Sequence, residues 1–276
     1  RRTLVVYLCG FADMKRLIIL LALFVPVAAS AQIGARVSAG VDYKIDKRLH
    51  LKVEEEARVG DSLSNNRLQT TIGLTYKPVK YVKFGVGYSL LNPFKTDSLA
   101  FKAPRHRLYA DVTGIVRFGD FQFSVKERLQ YTHRTGSFNV YQSTPDAFAL
   151  KSRASVKYKG WNLVEPTLFF ESRTQLNAPW GTAGTTLLSG ESKKGRAYTY
   201  YNYIPDGYTH VYNDRYRAGL DLDIKLSKHH TLNPYVLVDF YSTYDIDTNG
   251  AGNRLYSAAY TNFTRVSAGL SYVYSF

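Results

Sequence analysis

From Gln32 to Phe276 the chain alternates apolar and polar side chains with a period of two, in stretch after stretch. Successive side chains of an extended backbone leave on opposite faces, so this pattern builds strands with one apolar and one polar face. Leu68, Thr70, Ile72, Leu74 and Tyr76 share one face of such a stretch; Arg67, Gln69, Thr71, Gly73, Thr75 and Lys77 share the other. Helical spacing is hard to find after Gln32. Eleven candidate strands result: 33–44, 49–58, 67–77, 81–90, 105–118, 121–131, 150–159, 161–173, 213–226, 231–241 and 263–276. At roughly ten to fourteen residues they are twice the ordinary strand, and they suit a tilted crossing of a bilayer.

Charge sorts by face. The polar faces of the eleven strands carry 21 Lys/Arg and 9 Asp/Glu, whereas the apolar faces carry only Glu55, Glu127 and Asp214. The connections alternate as well. Residues 45–48, 78–80, 119–120, 160 and 227–230 are short; 59–66, 91–104, 132–149, 174–212 and 242–262 are long. Transmembrane barrels keep short turns on the periplasmic side and long loops outside. In hydrocarbon every backbone amide must find a partner within the protein, which forces the sheet to close. Tyr43, Tyr76, Tyr158, Tyr272, Tyr274 and Phe276 lie on the apolar face near strand ends, where amphipathic rings meet the interface.

The sequence therefore predicts an all-β fold: one antiparallel, transmembrane, up-and-down β-barrel of about 10–12 strands. Eleven strands raise a question of parity, because bacterial barrels usually count even. If the C-terminus and the short turns are both periplasmic, the first of eleven strands starts outside the cell. Either 33–44 does not pair in full, or the N-terminus threads the lumen, or the count is off by one.

Ahead of the strands, Met14-Lys15-Arg16 precedes an apolar run from Leu17 to Ala29 and the small-residue tripeptide Ala29-Ser30-Ala31. A basic start, a short apolar core and a small-x-small site describe a secretory signal peptide, too short to span a membrane as a helix. The expected organisation is upstream sequence over 1–13, a signal peptide over 14–31 and a barrel over 32–276. Export would place it in the outer membrane of a Gram-negative bacterium. The single Cys and single Met both precede Gln32, so neither a disulfide scaffold nor a multi-cysteine metal site is expected.

The formal charge of +14 first suggests nucleic acid as a partner. The leader takes part of that excess, and most of the rest sits on strand polar faces. No phosphate-binding glycine loop or zinc spacing appears, so nucleic acid is excluded, and no cofactor or metal is expected. The expected partners are outer-membrane lipid and lipopolysaccharide, whose phosphates Lys193-Lys194-Gly195-Arg196 would meet. The barrel-assembly machinery would read the aromatic ending Tyr272-Val273-Tyr274-Ser275-Phe276.

Three segments carry a family resemblance. Lys151-Ser152-Arg153-Ala154-Ser155-Val156-Lys157-Tyr158, Gly160 and Pro166-x-Leu168-x-x-Glu171 resemble the middle of the domain-of-unknown-function 2490 family. Asn213 to Leu220 with Lys228-His229-His230 is similar to its late hairpin, and Leu51-x-Val53-Glu54-Glu55-Glu56-Ala57-Arg58 to its early Glu-rich strand. The resemblance runs from Gln32 to Phe276. It implies an outer-membrane barrel of unsettled function and supplies no substrate or catalytic residue.

The polar face holds the candidate chemistry: Glu54, Glu56 and Arg58; Arg105 and Arg107; Lys126 and Arg128; Arg153 and Lys157; Glu171 and Arg173; Arg215 and Arg217; Asp221 and Asp223. Cross-strand neighbours sit about 5 Å apart, so these side chains meet inside a barrel. They form either a basic passage for small anionic solutes or a salt-bridge network that fills a narrow lumen. A second candidate is aromatic: Trp180, Tyr198, Tyr200, Tyr201, Tyr203 and Tyr208 crowd the longest loop, as a binding surface or as a cover over the mouth. An enzyme is not expected. None of the six histidines has Ser two residues later, and His133-Arg134-Thr135 is the nearest approach to a nucleophile and base.

Overall fold

In a computed structural model, residues 31–60, 66–95, 100–191, 195 and 197–276 are described; the leader over 1–30 and the basic residues Lys193, Lys194 and Arg196 lie outside them. The described chain is a meander of eleven strands. They are β1 (Gln32–Asp46), β2 (Leu49–Gly60), β3 (Arg67–Val79), β4 (Val82–Pro93), β5 (Arg105–Phe118), β6 (Phe121–Arg134), β7 (Asp146–Tyr158), β8 (Val164–Glu191), β9 (Ala197–Lys225), β10 (His230–Thr248) and β11 (Arg254–Ser275). Each pairs with the next, and β1 closes the barrel against β11.

The closure settles the parity question. With an odd number of alternating strands the first and last run in the same direction, so their seam must be parallel. It runs in unbroken register from Gln32 beside Arg265 to Asp42 beside Ser275, while β1 pairs antiparallel with β2 along its length. The first strand therefore pairs in full and does not thread the lumen. The expectation of an all-antiparallel barrel is corrected at this one seam.

The apolar positions face outward and stay exposed: Val37, Ile72, Val86, Val116, Phe123, Leu168 and Phe170 among many. An apolar exterior on this scale belongs against lipid. Aromatic rings gather near the short turns, where Phe276 packs edge-on against Tyr43 and Tyr274 and Phe121 lies against Tyr158. The Phe276 amide donates to the Asp42 carbonyl at 3.1 Å, which fixes the aromatic terminus at the seam.

Three sequence expectations change. The predicted loops 174–212 and 242–262 are mostly strand, because β8 and β9 run on as a long hairpin and β10 and β11 as a shorter one beside it. The two hairpins meet where Arg254 and Leu255 of β11 pair with Asn202 and Tyr201 of β9. The turn placed at Gly160 is longer, since β8 begins at Val164. Asp214 does not face lipid. The β8–β9 register slips between Arg173 and Thr174, and this bulge turns Asp214 inward, buried against Arg173. Glu55 and Glu127 do remain on the outward face; Glu127 accepts the Ser152 hydroxyl at 2.6 Å.

Candidate functional site

Strand register sets the lumen charges in rows. One row crosses six strands, Lys126, Arg153, Glu171, Arg217, Asp239 and Arg265, each the backbone partner of the next. Its two carboxylates sit between cations. Asp239 is fully buried and accepts from Arg217 Nε at 2.6 Å and from Arg36 of β1 at 3.3 Å. Glu171 accepts from Arg153 at 2.7 Å and also from Arg215. A charge taken from water without such partners would cost several kcal/mol or more. The network therefore fills the side of the lumen formed by β1 and β8–β10.

The row one step nearer the loops is cationic throughout: Arg128, Lys151, Arg173 and Arg215, ending on Tyr241. Like charges directly opposite one another oppose strand pairing. Three of the four reach a carboxylate elsewhere: Arg128 takes Asp111 at 2.5 Å, Arg173 takes Asp214 and Arg215 takes Glu171. Lys126 shares Asp111 at 3.4 Å. Nearer the rim, Arg58 donates to Glu56 at 2.5 Å, Arg107 to Thr132 at 3.1 Å, and Arg105 lies opposite Arg134.

Beside the network lies a cavity of about 590 Å³. Fourteen Lys and Arg side chains line it, against one acid, Glu54. Two glycines make room for the lining side chain of Tyr109. The Tyr109 ring lies flat over Gly73 and Gly87, where an added Cβ at Gly87 would stand 2.4 Å from the ring and 2.7 Å from the Ile72 carbonyl oxygen. Arg128 in turn stacks over Tyr109, 4.0 Å from its centroid.

Toward the short turns more of the acids are engaged, although Lys77, Lys83, Arg117 and Lys159 add further cations there. Lys52 bonds Glu54; Lys157 reaches Asp223 and, at 3.4 Å, Glu165; Lys225 also bonds Glu165. Asp223 takes the Asn233 amide at 2.5 Å. Asp221 lies between Thr167 and Tyr235 in register and makes no ion pair among the described residues. The lumen is thus basic along its length, with its acids held in ion pairs at mid-barrel and toward the turns.

The aromatic candidates divide. Tyr203 is buried with Ile246 and Leu255, and the half-buried Tyr201 packs against them, so these two hold the hairpins together. Tyr198 and Tyr200 lie around Arg254, which donates to the Tyr198 hydroxyl at 2.7 Å and sits 4.8 Å over the Tyr200 ring. Tyr208 donates to the Val140 carbonyl at 3.1 Å. Trp180 stacks on His210 at 4.4 Å and 18°, with Tyr212, Tyr244 and Tyr260 completing a row of rings. This packing pushes the His210 imidazole below its ordinary pKa by burial.

His133 Nδ1 lies 2.8 Å from Asp146 Oδ1, while Thr135 donates its hydroxyl to the Pro104 carbonyl at 2.5 Å. The Thr135 hydroxyl is thus bonded to the backbone and not to His133. Among the described residues no cluster of three His, Cys, Asp or Glu side chains is placed to hold a metal.

Sequence reasoning had not singled out Arg36, Arg67, Asp111, Arg134, Lys151, Asp239 or Arg265. All but Arg134, which falls in the predicted loop 132–149, share the polar parity of the predicted strands, so the alternation carried the signal. Asp214 gave no such signal, because its side is set by a bulge.

Among solved structures, in-vitro folded OmpT of Vibrio cholerae is 12% identical, with a TM-score of 0.34 over 84% of this chain and 62% of that one. The outer-membrane-expressed form of the same protein gives 11% and 0.33 over 81% and 64%; a Pseudomonas aeruginosa FadL homologue gives 8% and 0.33 over 83% and 75%. The chain thus spans less than two thirds of the length of either OmpT structure. No curated protein matches. The sequence profile described as "Protein of unknown function (DUF2490)" matches residues 36–174, which contain the early Glu-rich strand and the middle motif but not the late hairpin. This match covers half of the sequence, and the chain belongs to the DUF2490 family.

Proposed function

We propose that the barrel sits in the outer membrane of a Gram-negative bacterium, short turns in the periplasm, and gives small anionic solutes a path through its lumen. The observation that carries this reading is the cavity, whose lining holds fourteen Lys and Arg side chains and one acid, with Arg67, Arg105, Arg107, Arg134 and Lys151 outside any ion pair among the described residues. Rings of Lys and Arg select anions because they replace part of an anion's hydration and repel cations. Lipid and lipopolysaccharide would surround the apolar exterior, and assembly would engage the strand that ends at Phe276.

A second reading has its own support. The buried network around Asp239 occupies one side of the lumen, as it would in a plugged barrel that acts through its extended hairpins. Single-channel recording in planar bilayers separates the two. Passage predicts discrete current steps at neutral pH, and a silent bilayer containing correctly folded protein would favour the plugged barrel.

A further inference from the structure

Five cations gather on the β3–β7 side of the cavity, with only Glu171 near Lys151 and Glu56 near Arg67 among the described residues. Arg67 on β3, Arg105 and Arg107 on β5, Arg134 on β6 and Lys151 on β7 all line it, and among the described residues none makes an ion pair. Arg105 and Arg134 are backbone partners, and the buried Nε of Arg67 has no acceptor. The side-chain bond of Arg107 goes to Thr132. Arg107 also lies close enough to Arg58 and Arg173 to feel their charges.

Such a group is at odds with strand pairing unless something negative enters it. One monovalent anion compensates a fifth of it. A phosphate monoester carries about 1.5 to 2 negative charges near neutral pH, so two or three of them approach five. Guanidinium forks meet phosphate oxygens two at a time, and four of the five cations are arginines. From β3 to β7 the cations spread over four strand spacings, roughly 19 Å along the wall, too far for one phosphate to span. The cavity's 590 Å³ falls in the range of small-molecule pockets, about 300–1,000 Å³.

We infer that this arc is a binding station for a soluble anion carrying two or more phosphate groups. The inference rests on the reading of the lumen as an anion path and adds the class of anion that the path holds.

Calorimetry on the full chain in detergent micelles tests it, with orthophosphate, pyrophosphate and tripolyphosphate as probes. Tripolyphosphate should bind at least tenfold more tightly than orthophosphate. The double substitution R67Q/R107Q should weaken it at least tenfold, while K225Q at the turn end leaves it unchanged. Should R67Q/R107Q lose the heat-modifiable gel shift of a folded barrel, R67K/R107K replaces it: charge is kept, the forks are lost, and affinity should fall between the two. Equal affinity for all three probes, or tripolyphosphate binding indifferent to these substitutions, overturns the station. Bilayer recordings on the same preparations keep the two ideas apart. Current steps without a tripolyphosphate preference remove the station and leave passage standing; tight, Arg67-dependent binding in a silent barrel keeps the station and removes passage.

Discussion

Asp239 has no exposed surface, and its two oxygens serve Arg217, Arg36 and, at 3.7 Å, Arg215. Asp239→Ala would leave these guanidinium groups facing each other in a buried site. We expect a loss of about 3–5 kcal/mol, the usual cost of removing one partner from a buried ion pair, read as a lower urea midpoint at constant m-value. Glu55 makes the opposite case. It faces outward from β2, with one oxygen buried and unbonded, in a surface otherwise suited to lipid. Glu55→Leu should stabilise the barrel by up to about 1 kcal/mol in lipid vesicles, since acids on the lipid face cost less than Lys or Arg but still cost. A clear destabilisation would mean that Glu55 has a partner in the membrane. Both residues sit in strands the alternation predicts, and parity alone assigns their faces. Their partners depend on register with strands far away in sequence, which local pattern does not carry.

At the scale of elements, alternation defines the barrel portion of every strand, because it is a local property of an extended chain with one face in lipid. It misses the outer parts of β8–β11, where both faces meet water or other rings and the period fades. What holds them is contact between hairpins: Tyr203, Ile246 and Leu255 form a small core of their own. We expect His210 to make this region sensitive to acid. Burial among Trp180, Tyr212 and Tyr244 lowers its pKa from 6.5, so the hairpins favour the neutral ring. The sign follows from linkage. The contribution is fully present above about 6.5 and is lost as pH falls through the lower folded value. The sequence has two tryptophans, so a Trp161→Phe background isolates Trp180. Its fluorescence should change as pH falls below the ordinary histidine range, and adding His210→Phe should remove that change. A transition that survives this substitution would place the acid sensitivity elsewhere.

For the whole molecule, an odd strand number imposes one parallel seam on an otherwise antiparallel barrel. The parallel β1–β11 pairing brings Arg36 to Asp239 and Arg265 beside Gln32, so closure completes the network that fills one side. On the other side the cations remain around open space. Which cations would be paired was illegible in the sequence, since it follows from closure and from the bulge at Asp214. That the lumen would be basic was legible, because charge sorts with parity. The measurement closest to the central claim is the reversal potential of the reconstituted barrel under a potassium chloride gradient. A basic lumen predicts a reversal potential shifted toward the chloride equilibrium potential, with the shift shrinking as salt screens the wall. A shift toward the potassium equilibrium potential would contradict it.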